Sequence, residues 1–443
     1  MAANPEPAAD ATPRAGLPVI AREWSRIGIT GFGGPPAHIA LLRRLCVDRN
    51  EWLSATEFED GISATSLLPG PASTQLAIYC AWRLAGPLGA FIGGACFIVP
   101  GLIIILALSA LFLASSPPDW VTGAAAGAGA AVPAVALSAA IGLVPASWRR
   151  ANPARPGAGG GESQRRAERR GGRRVTGGAV RWLAYVVAGG IAANLAGQYL
   201  VAVLLGCGLC EWLATGRHGT RQVRADRDKA GRGGANQDGG DRDGACPDSS
   251  GRGRAGVLVA LAAKTVTAGA LGSLIWVAIK VGALSFGGGF VIIPLMQHDA
   301  VHTYHWMTTA QFLSAVALGQ VTPGPVVQTV AVVGYAAAGL AGGLLAAVVA
   351  FAPSFVFVLA GGPHFDRFRR SPAAQAFLAG SGPAAIGAIA GAAVTLGFGL
   401  TQLWQVAVLA GAIGWLVLLR RGVVSAILAS AAIGVILALA GIS

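Results

Sequence analysis

The stretch SLLPGPASTQ, residues 66–75, places Pro-Gly-Pro inside an otherwise apolar, helix-compatible segment. Proline inside a helix removes a backbone hydrogen bond and clashes with the preceding turn, at a cost of about 3 kcal/mol or more. A helix that begins near Ser54 reaches only Leu68, a length of about 21 Å that is too short to cross a bilayer. A new helix is expected beyond Pro71, because proline suits the first helical position. The stretch therefore predicts two helices separated by a break.

The composition of the chain is that of a polytopic membrane protein. Of its 443 residues, 54% are hydrophobic and 12% are charged, whereas a soluble domain carries about 25% charged residues. Long uncharged windows are Leu84–Pro118, Val121–Trp148, Val326–Pro363 and Val423–Ser443. Such windows indicate membrane-spanning helices, since crossing the hydrocarbon takes about 20 apolar residues. We expect an all-α polytopic integral membrane protein with about 10–12 hydrophobic elements.

The net charge of +13 is concentrated in two polar stretches. Eighteen of the 33 Lys and Arg residues lie in 149–174 and 216–254. Basic segments beside spans are typical of cytoplasmic loops, and the alternative of RNA binding lacks the aromatic residues needed for base stacking. We expect disordered connectors there, because both stretches are rich in Gly, Arg and Asp.

The reactive side chains predict no enzyme, cofactor or metal site. Cys207 and Cys210 form a lone Cys-x-x-Cys inside an apolar segment, so packing is the preferred interpretation over a redox or metal site. No cluster of His, Asp or Cys is expected at membrane depth, and no catalytic residue is assigned. No cleavable signal peptide is expected, since residues 1–20 lack a continuous apolar core.

The chain contains two related halves. The sequence GITGFGGPPAHI (28–39) aligns with GALSFGGGFVII (282–293) at an interval of 254 residues. The same interval relates Pro-Gly-Pro at 69–71 to Pro-Gly-Pro at 323–325. The predicted division is an N-terminal tail (1–21), a first repeat core (22–148), a basic cytoplasmic loop (149–177), a helical pair that ends the first repeat (178–215), a disordered charged linker (216–255) and a second repeat (256–443).

Loop charges predict that the two repeats have inverted topology. Residues 43–49 hold three arginines, whereas the corresponding loop at 297–303 holds no Lys or Arg. The bias reverses further on, because 115–120 lacks a cation and 364–372 carries three arginines. Corresponding loops of opposite bias should face opposite sides of the membrane, as in secondary transporters. The expected cytoplasmic segments are 43–51, 149–177, 216–254, 364–372 and Arg420/Arg421, and the expected outer segments are 116–119, 297–305 and 401–402.

The repeated motifs suggest an anion site at helix breaks. The glycine-rich breaks at 31–36 and 285–289 can expose backbone N–H groups to an anion, although close helix packing is an equal alternative. The capping-box patterns SATE (54–57) and TTAQ (308–311) start helices that end at Pro-Gly-Pro. A helix that restarts after such a break presents free N–H groups and a partial positive charge. The nearby polar side chains are uncharged, and helix–helix hydrogen bonding is their alternative role; they are Thr65, Ser66, Ser73, Thr74, Gln75, Gln320, Thr322, Gln328 and Thr329.

Few ionisable residues are expected within the membrane. Lys280 and the aligned Arg26 stand beside the two glycine breaks, so they are the best electrostatic candidates for attracting an anion. His38 and Asp60 have no titratable counterparts, so a proton-coupling role for either would be asymmetric. Glu59, Arg83 and Lys264 lie near predicted helix ends, where snorkelling explains them.

This duplicated set of motifs resembles the chromate ion transporter family, in its long-chain form with two fused homologous domains. The resemblance covers nearly all of residues 22–441 except the two polar connectors. It implies efflux of chromate from the bacterial cytoplasm with resistance to chromate, sulfate as an analogue and inhibitor, and a multi-pass protein of the inner membrane. Its motifs point to Gly31–Pro36, His38, Pro69–Pro71, Ser285–Gly289 and Pro323–Pro325.

Residues and resemblance together give one candidate site. Its substrate-binding residues are predicted to be Gly31, Phe32, Gly33, Gly34, Pro35, His38, Ser66, Pro69, Gly70, Pro71, Ser73, Thr74, Gln75, Lys280, Ser285, Phe286, Gly287, Gly288, Gly289, Thr322, Pro323, Gly324, Pro325 and Gln328. The expected partners are chromate, with sulfate as its analogue, and the lipid bilayer, without nucleic acid. The sequence leaves three points open: whether the protein forms a homodimer, which ion is coupled to transport, and whether the protein instead takes up sulfate or another oxyanion.

Overall fold

The chain is all-helical throughout the part that the computed structural model describes, which is residues 15–66, 68–114, 116–151, 162–195, 199–230, 268–285, 292–361 and 371–441. The α-helices of the first half are α1 (Leu17–Thr30), α2 (Pro35–Arg43), α3 (Ala55–Thr65), α4 (Ala72–Phe112), α5 (Asp119–Ala151), α6 (Glu162–Leu195) and α7 (Leu200–Ala230). Those of the second half are α8 (Ala268–Leu284), α9 (Ile292–Gln297), α10 (Thr309–Val321), α11 (Thr329–Gly361), α12 (Pro372–Phe398), α13 (Leu403–Ile413) and α14 (Val423–Leu439).

Four helices in the described ranges are long and apolar enough to cross a membrane. They are Ala72–Phe112, Asp119–Ala151, Val326–Gly361 and Pro372–Phe398. Large apolar side chains such as Leu88, Ile103 and Val348 are exposed on the outer faces of α4 and α11, as expected for surfaces that contact lipid tails. The prediction of an all-α polytopic membrane protein is therefore confirmed.

The break at Pro-Gly-Pro forms as predicted in both halves. Helix α3 ends at Thr65, and α4 begins at Ala72 with Pro71 as its N-cap residue. In the second half α10 ends at Val321, and a 3-10 turn at Val326–Gln328 leads into α11. Both predicted capping boxes, Ser54 with Glu57 and Thr308 with Gln311, are also present. Local signals thus determine where these helices start and stop.

The backbone of the two halves shares unusual conformations at matched positions. Helix α4 bends at Gly86, whose φ of 64° and ψ of −155° recur at Gly339 in α11. A π-helical turn follows α2 at Arg44–Arg49, and another follows α9 at His298–Thr303. These positions are 253 or 254 residues apart, which is the interval of the sequence repeat.

The two halves are interlocked through their last helices. Helices α13 and α14 of the second half pack on α5, whereas α6 and α7 of the first half pack on α12. Glycine permits the closest approaches, because a Cβ at Gly127 would lie 2.1 Å from the Ser430 carbonyl oxygen, and one at Gly380 would lie 2.2 Å from that of Cys207. At the centre α4 packs on α11, with α1 against α4 and α8 against α11.

The helices extend further into the polar connectors than the sequence analysis predicts. Helix α6 begins at Glu162 and α7 continues to Ala230, so 162–177 of the basic loop and 216–230 of the charged linker are helical, and the prediction of disorder is wrong for them. The physical reason is that these stretches contain Ala, Arg, Gln and Glu, and that extending an existing helix avoids the cost of nucleation. The rest of the linker and Lys264 lie outside the described residues.

Candidate functional site

The first glycine break lies directly against the Pro-Gly-Pro segment of the other half. The Gly324 N–H donates a hydrogen bond to the Gly31 carbonyl oxygen, with an N···O distance of 3.1 Å. Gly34 lies beside the side chain of Val326, which follows the same Pro-Gly-Pro. Gly324 has a φ of 102°, a conformation that residues with a Cβ rarely adopt. The fold therefore brings together two breaks that are nearly 300 residues apart.

The first Pro-Gly-Pro segment has the reciprocal position. Gly70, with a φ of 121°, lies beside the carbonyl oxygen of Gly282 near the end of α8. The neighbouring Ser285 is completely buried. The remaining predicted residues of this break, Phe286, Gly287, Gly288 and Gly289, lie outside the described residues.

His38 connects the first glycine break to the start of α4. Its side chain is completely buried, with Nε2 2.9 Å from the Gly31 carbonyl oxygen and Nδ1 3.4 Å from Ser73 Oγ. A carbonyl oxygen can only accept, so Nε2 carries the hydrogen and Nδ1 is left to accept from the Ser73 hydroxyl. The ring also contacts Phe97 edge-on. His38 therefore stabilises the conformation of the break, and it does not line the cavity between this break and α5.

Two glutamines stabilise the backbone around the Pro-Gly-Pro segments. Gln75 Nε2 donates to the Pro69 carbonyl oxygen at 2.7 Å. Gln328 Nε2 donates to the Ile98 carbonyl oxygen at 2.8 Å and so joins the second break to α4. In contrast, the Thr322 hydroxyl bonds back to Leu318 within its own helix. Of these predicted polar residues, Gln75 and Gln328 therefore bond to the backbone at or across the breaks, whereas Thr322 bonds only within its own helix.

A cavity of about 480 Å³ opens between the first glycine break, α5 and α12. Ser66 and Ala72, on either side of the first Pro-Gly-Pro, and Gln320, which precedes the second, also line it. Of the predicted site residues, Gly33, Gly34, Pro35 and Ser66 line it. The polar lining also includes Gln320, Ser138, Ser147, Ser381 and Arg150. Uncharged donors and one guanidinium thus surround a space large enough for a small oxyanion with water.

Buried polar atoms without a protein partner concentrate at the breaks. Those at break residues or their immediate neighbours are Thr74 Oγ1, Gln75 Oε1, Ser285 Oγ, Gln320 Nε2 and Gln328 Oε1. Buried polar groups in native proteins are almost always hydrogen-bonded, and each orphaned one costs about 1–3 kcal/mol. The two hydroxyls and the Gln320 amide can donate, whereas the two glutamine oxygens can only accept. This set is therefore suited to water molecules and to a polar ligand with several acceptor atoms.

Lys280 is not available as a free cation beside the second glycine break. Its Nζ lies 2.5 Å from Asp299 Oδ2, and both side chains are largely buried. Nζ also lies 5.6 Å from the ring centre of Trp276. The aligned Arg26 is exposed. Because Asp299 neutralises Lys280, the two residues do not form the matched cation pair that the sequence suggested.

The other ionisable candidates lie away from the cavity. Glu57 and Arg83 form an ion pair, and Glu59 lies 3.7 Å from Arg43 in an exposed one. Asp60 is half-buried on α3 and does not line the cavity. Four lining residues carry no signal in the sequence that marks them as part of a site, namely Ser138, Ser147, Ser381 and Arg150. Serines are common in apolar helices, and Arg150 looks like part of the basic loop.

Comparisons with known proteins agree with the resemblance seen in the motifs. The chain is 29% identical to the chromate transport protein of Cupriavidus metallidurans over 382 residues, which is 84% of this chain and 80% of the relative. It is 27% identical to the probable chromate transport protein of Synechococcus elongatus over 391 residues, covering 87% of this chain and 86% of the relative. The chromate transport protein of Pseudomonas aeruginosa is 27% identical over 413 residues, 89% of this chain and 85% of the relative.

No solved structure matches this chain. The model of the chromate transporter family matches residues 19–212 and 272–436, one segment in each half of the chain and together most of its length. The chain therefore belongs to the chromate transporter family.

Proposed function

We propose that the protein is a secondary transporter that exports chromate from the cytoplasm across the inner membrane and thereby gives the bacterial cell resistance to chromate. The observation that carries this proposal is the polar cavity that is lined by the first glycine break and by residues flanking both Pro-Gly-Pro segments. Family membership supports chromate as the substrate. The protein acts as a transporter and not as an enzyme.

The chemistry of the lining suits a tetrahedral oxyanion. Hydroxyl and amide groups such as Ser66, Ser381 and Gln320 can donate to its oxygens. A single guanidinium provides charge, so a dianion is attracted without being held by several fixed cations. Sulfate has the same shape and charge, so the same donors would bind it as an analogue and competitor.

Matched backbone features support alternating access by two inverted repeats. Gly86 and Gly339 share one bend, and Gly70 and Gly324 share positive φ values. In transporters built this way, one repeat moves relative to the other around a central site. The proposed motion exposes the cavity alternately to the cytoplasm and to the outside.

Export is the direction that the membrane potential favours. Moving a dianion out of a cell with a negative interior is favourable by about 2 × 2.3 kcal/mol per 100 mV. The potential alone, or proton exchange, could therefore drive export.

Uptake of labelled chromate into inside-out vesicles tests this proposal, with sulfate as the competitor and vesicles lacking the protein as the control. Accumulation above the control, together with chromate tolerance of expressing cells, is the expected result. Vesicles that accumulate sulfate but not chromate would replace the proposal with the sulfate alternative. Accumulation only in right-side-out vesicles would indicate uptake. If vesicles of either orientation accumulate neither anion, the proposed function is wrong.

A further inference from the structure

One face of α5 forms a continuous wall of the cavity. Residues on this face recur every three or four positions, as one side of a helix requires; they are Val135, Ser138, Ala139, Gly142, Leu143, Ser147 and Arg150. Val135 and Arg150 are 15 residues apart, which corresponds to about 22 Å along the helix. The cavity is therefore elongated, and Arg150 lies at the end of its wall, in the last turn of α5.

Arg150 is the single charged side chain among the described residues that line this cavity. The adjacent Arg149 differs, because its Nε donates to the Pro145 carbonyl oxygen of the same helix at 3.2 Å, and it does not line the cavity. Two consecutive arginines thus lie in the last turn of α5, but only one of them lines the cavity.

The opposite wall at this level comes from α12 and α7. Ser381 and Gly382 of α12 and Leu204 of α7 line it. Ser147 Oγ, one turn before Arg150, accepts a hydrogen bond from Trp182 Nε1 at 3.1 Å. Apart from Ser147 and Ser381, the neighbours of Arg150 in the cavity wall are apolar or lack a polar side chain, so its guanidinium dominates the electrostatics of this end.

We propose that Arg150 recruits the transported oxyanion at the cytoplasmic mouth of the cavity and passes it along the Ser138 and Ser147 face of α5 to the helix breaks. This inference rests on the proposed function and names the residue that first binds its substrate. A guanidinium forms two parallel, charge-assisted hydrogen bonds with a tetrahedral oxyanion. Because the site is at the mouth, its loss should weaken binding more than it slows the conformational cycle.

The position of the breaks supports this division of roles. Gly33, Gly34 and Gln320 line the same cavity with backbone and amide groups that carry no net charge. An anion bound there interacts with weaker donors than at Arg150, so it can leave once the cavity opens to the other side. A strong cation at the entrance and neutral donors further along give both capture and release.

The test compares R150Q with R149Q, which removes the neighbouring charge but leaves the cavity wall intact. Initial rates of chromate uptake into inside-out vesicles are measured against chromate concentration and normalised to the amount of protein in the membrane. R150Q should raise KM by about tenfold or more, the expected effect of losing hydrogen bonds to a charged group, with a smaller change in kcat. R149Q should stay within about twofold of wild type, since the Arg149 side chain does not line the cavity.

Two further measurements separate recruitment from a structural role. Increasing KCl should raise the KM of wild type and R149Q more than that of R150Q, because salt screens the attraction. R150K keeps the charge and should have a KM between those of wild type and R150Q. R150K also provides the test if R150Q fails to accumulate in the membrane. A KM and a salt response in R150K equal to those of wild type would rule out the bidentate contact of Arg150 with the oxyanion.

The outcomes distinguish this inference from the proposed function. Wild-type vesicles that transport no chromate would contradict the proposed function itself. Wild-type transport with equal KM values for R150Q and R149Q would overturn the role of Arg150 alone. A loss of kcat in R150Q with KM unchanged would overturn it as well.

Discussion

The backbone N–H of Gly324 donates a hydrogen bond to the carbonyl oxygen of Gly31 across the interface between the two halves, at an N···O distance of 3.1 Å. The same oxygen lies 2.9 Å from Nε2 of His38. One carbonyl group thus contacts both a Pro-Gly-Pro break and His38 of α2, whose other ring nitrogen lies near Ser73 at the start of α4. In the proposed alternating-access cycle, a rearrangement of this contact would couple movements of the two halves.

Replacing Gly324 by alanine should impair transport. Its φ of 102° is unfavourable for alanine, at a cost of about 1–3 kcal/mol, and relaxation would move the N–H away from Gly31. We expect chromate uptake into inside-out vesicles to fall by about tenfold or more, as the loss of about 1.4 kcal/mol would produce. Gly411→Ala is the control, because a Cβ there meets no atom within 4 Å. Equal transport by the two variants would contradict the importance of the contact.

Replacing Pro69-Gly70-Pro71 by three alanines should abolish transport while the protein still inserts. Alanine favours a continuous helix by about 1 kcal/mol over glycine and about 3 kcal/mol over proline, so α3 and α4 would tend to merge. The amount of protein in the membrane and the uptake of chromate are measured together. Pro118→Ala, at an exposed turn before α5, should retain transport. Normal uptake by the triple-alanine variant would remove this segment from the site.

Asp299→Asn should destabilise the protein strongly. Removing one partner of a buried ion pair leaves an uncompensated charge, at a cost of about 3–5 kcal/mol, and Asp299 and Lys280 have side-chain exposures of 6% and 15%. The melting temperature in detergent should therefore fall. Glu59→Gln breaks the exposed pair with Arg43 and should change stability by at most about 1 kcal/mol.

A double variant checks the cause of that loss. Lys280→Met with Asp299→Leu removes both charges and should restore most of the melting temperature, since apolar pairs often replace buried ion pairs without loss. If Asp299→Asn is as stable as Glu59→Gln, the ion pair of Lys280 with Asp299 does not stabilise the fold in the way its burial indicates.

Replacing Gly380 by alanine should loosen the interlocked helices. Its Cβ would lie 2.2 Å from the Cys207 carbonyl oxygen, so α7 would have to move away from α12, at a cost of about 1–3 kcal/mol. Thermal unfolding of the purified protein measures the effect. Gly206→Ala in α7 is the control, because its Cβ would meet no atom within 4 Å and it should be neutral or stabilising. Similar melting temperatures for both variants would argue against close packing at Gly380.

Much of this architecture could be predicted from local sequence signals. Proline and glycine at 69–71 interrupt the helix because they alter hydrogen bonding and φ within a few residues. The capping boxes at Ser54 and Thr308 likewise depend on residues three positions apart. The repeat interval then relates each break to its counterpart without any knowledge of packing.

Contacts between residues that are distant in sequence decide which residues surround the candidate site. Gly31 and Gly324 meet only because α1 packs on α4 and α4 packs on α11. Lys280 of α8 is neutralised by Asp299, which lies 19 residues further along the chain in the π-helical turn after α9. The sequence indicates Lys280 as a cation beside the glycine break, but it does not indicate that Asp299 is its ion-pair partner.

The sequence by itself determined that this chain crosses a membrane with broken helices, because hydrophobic length, proline and glycine act on the backbone where they stand. The tertiary structure decided which breaks meet, that His38 supports the backbone and that Arg150 faces a cavity while Arg149 does not. The physical reason is that packing of α5 against α12 and α14 sets the rotation of each helix, and rotation decides which of two adjacent side chains lines the cavity.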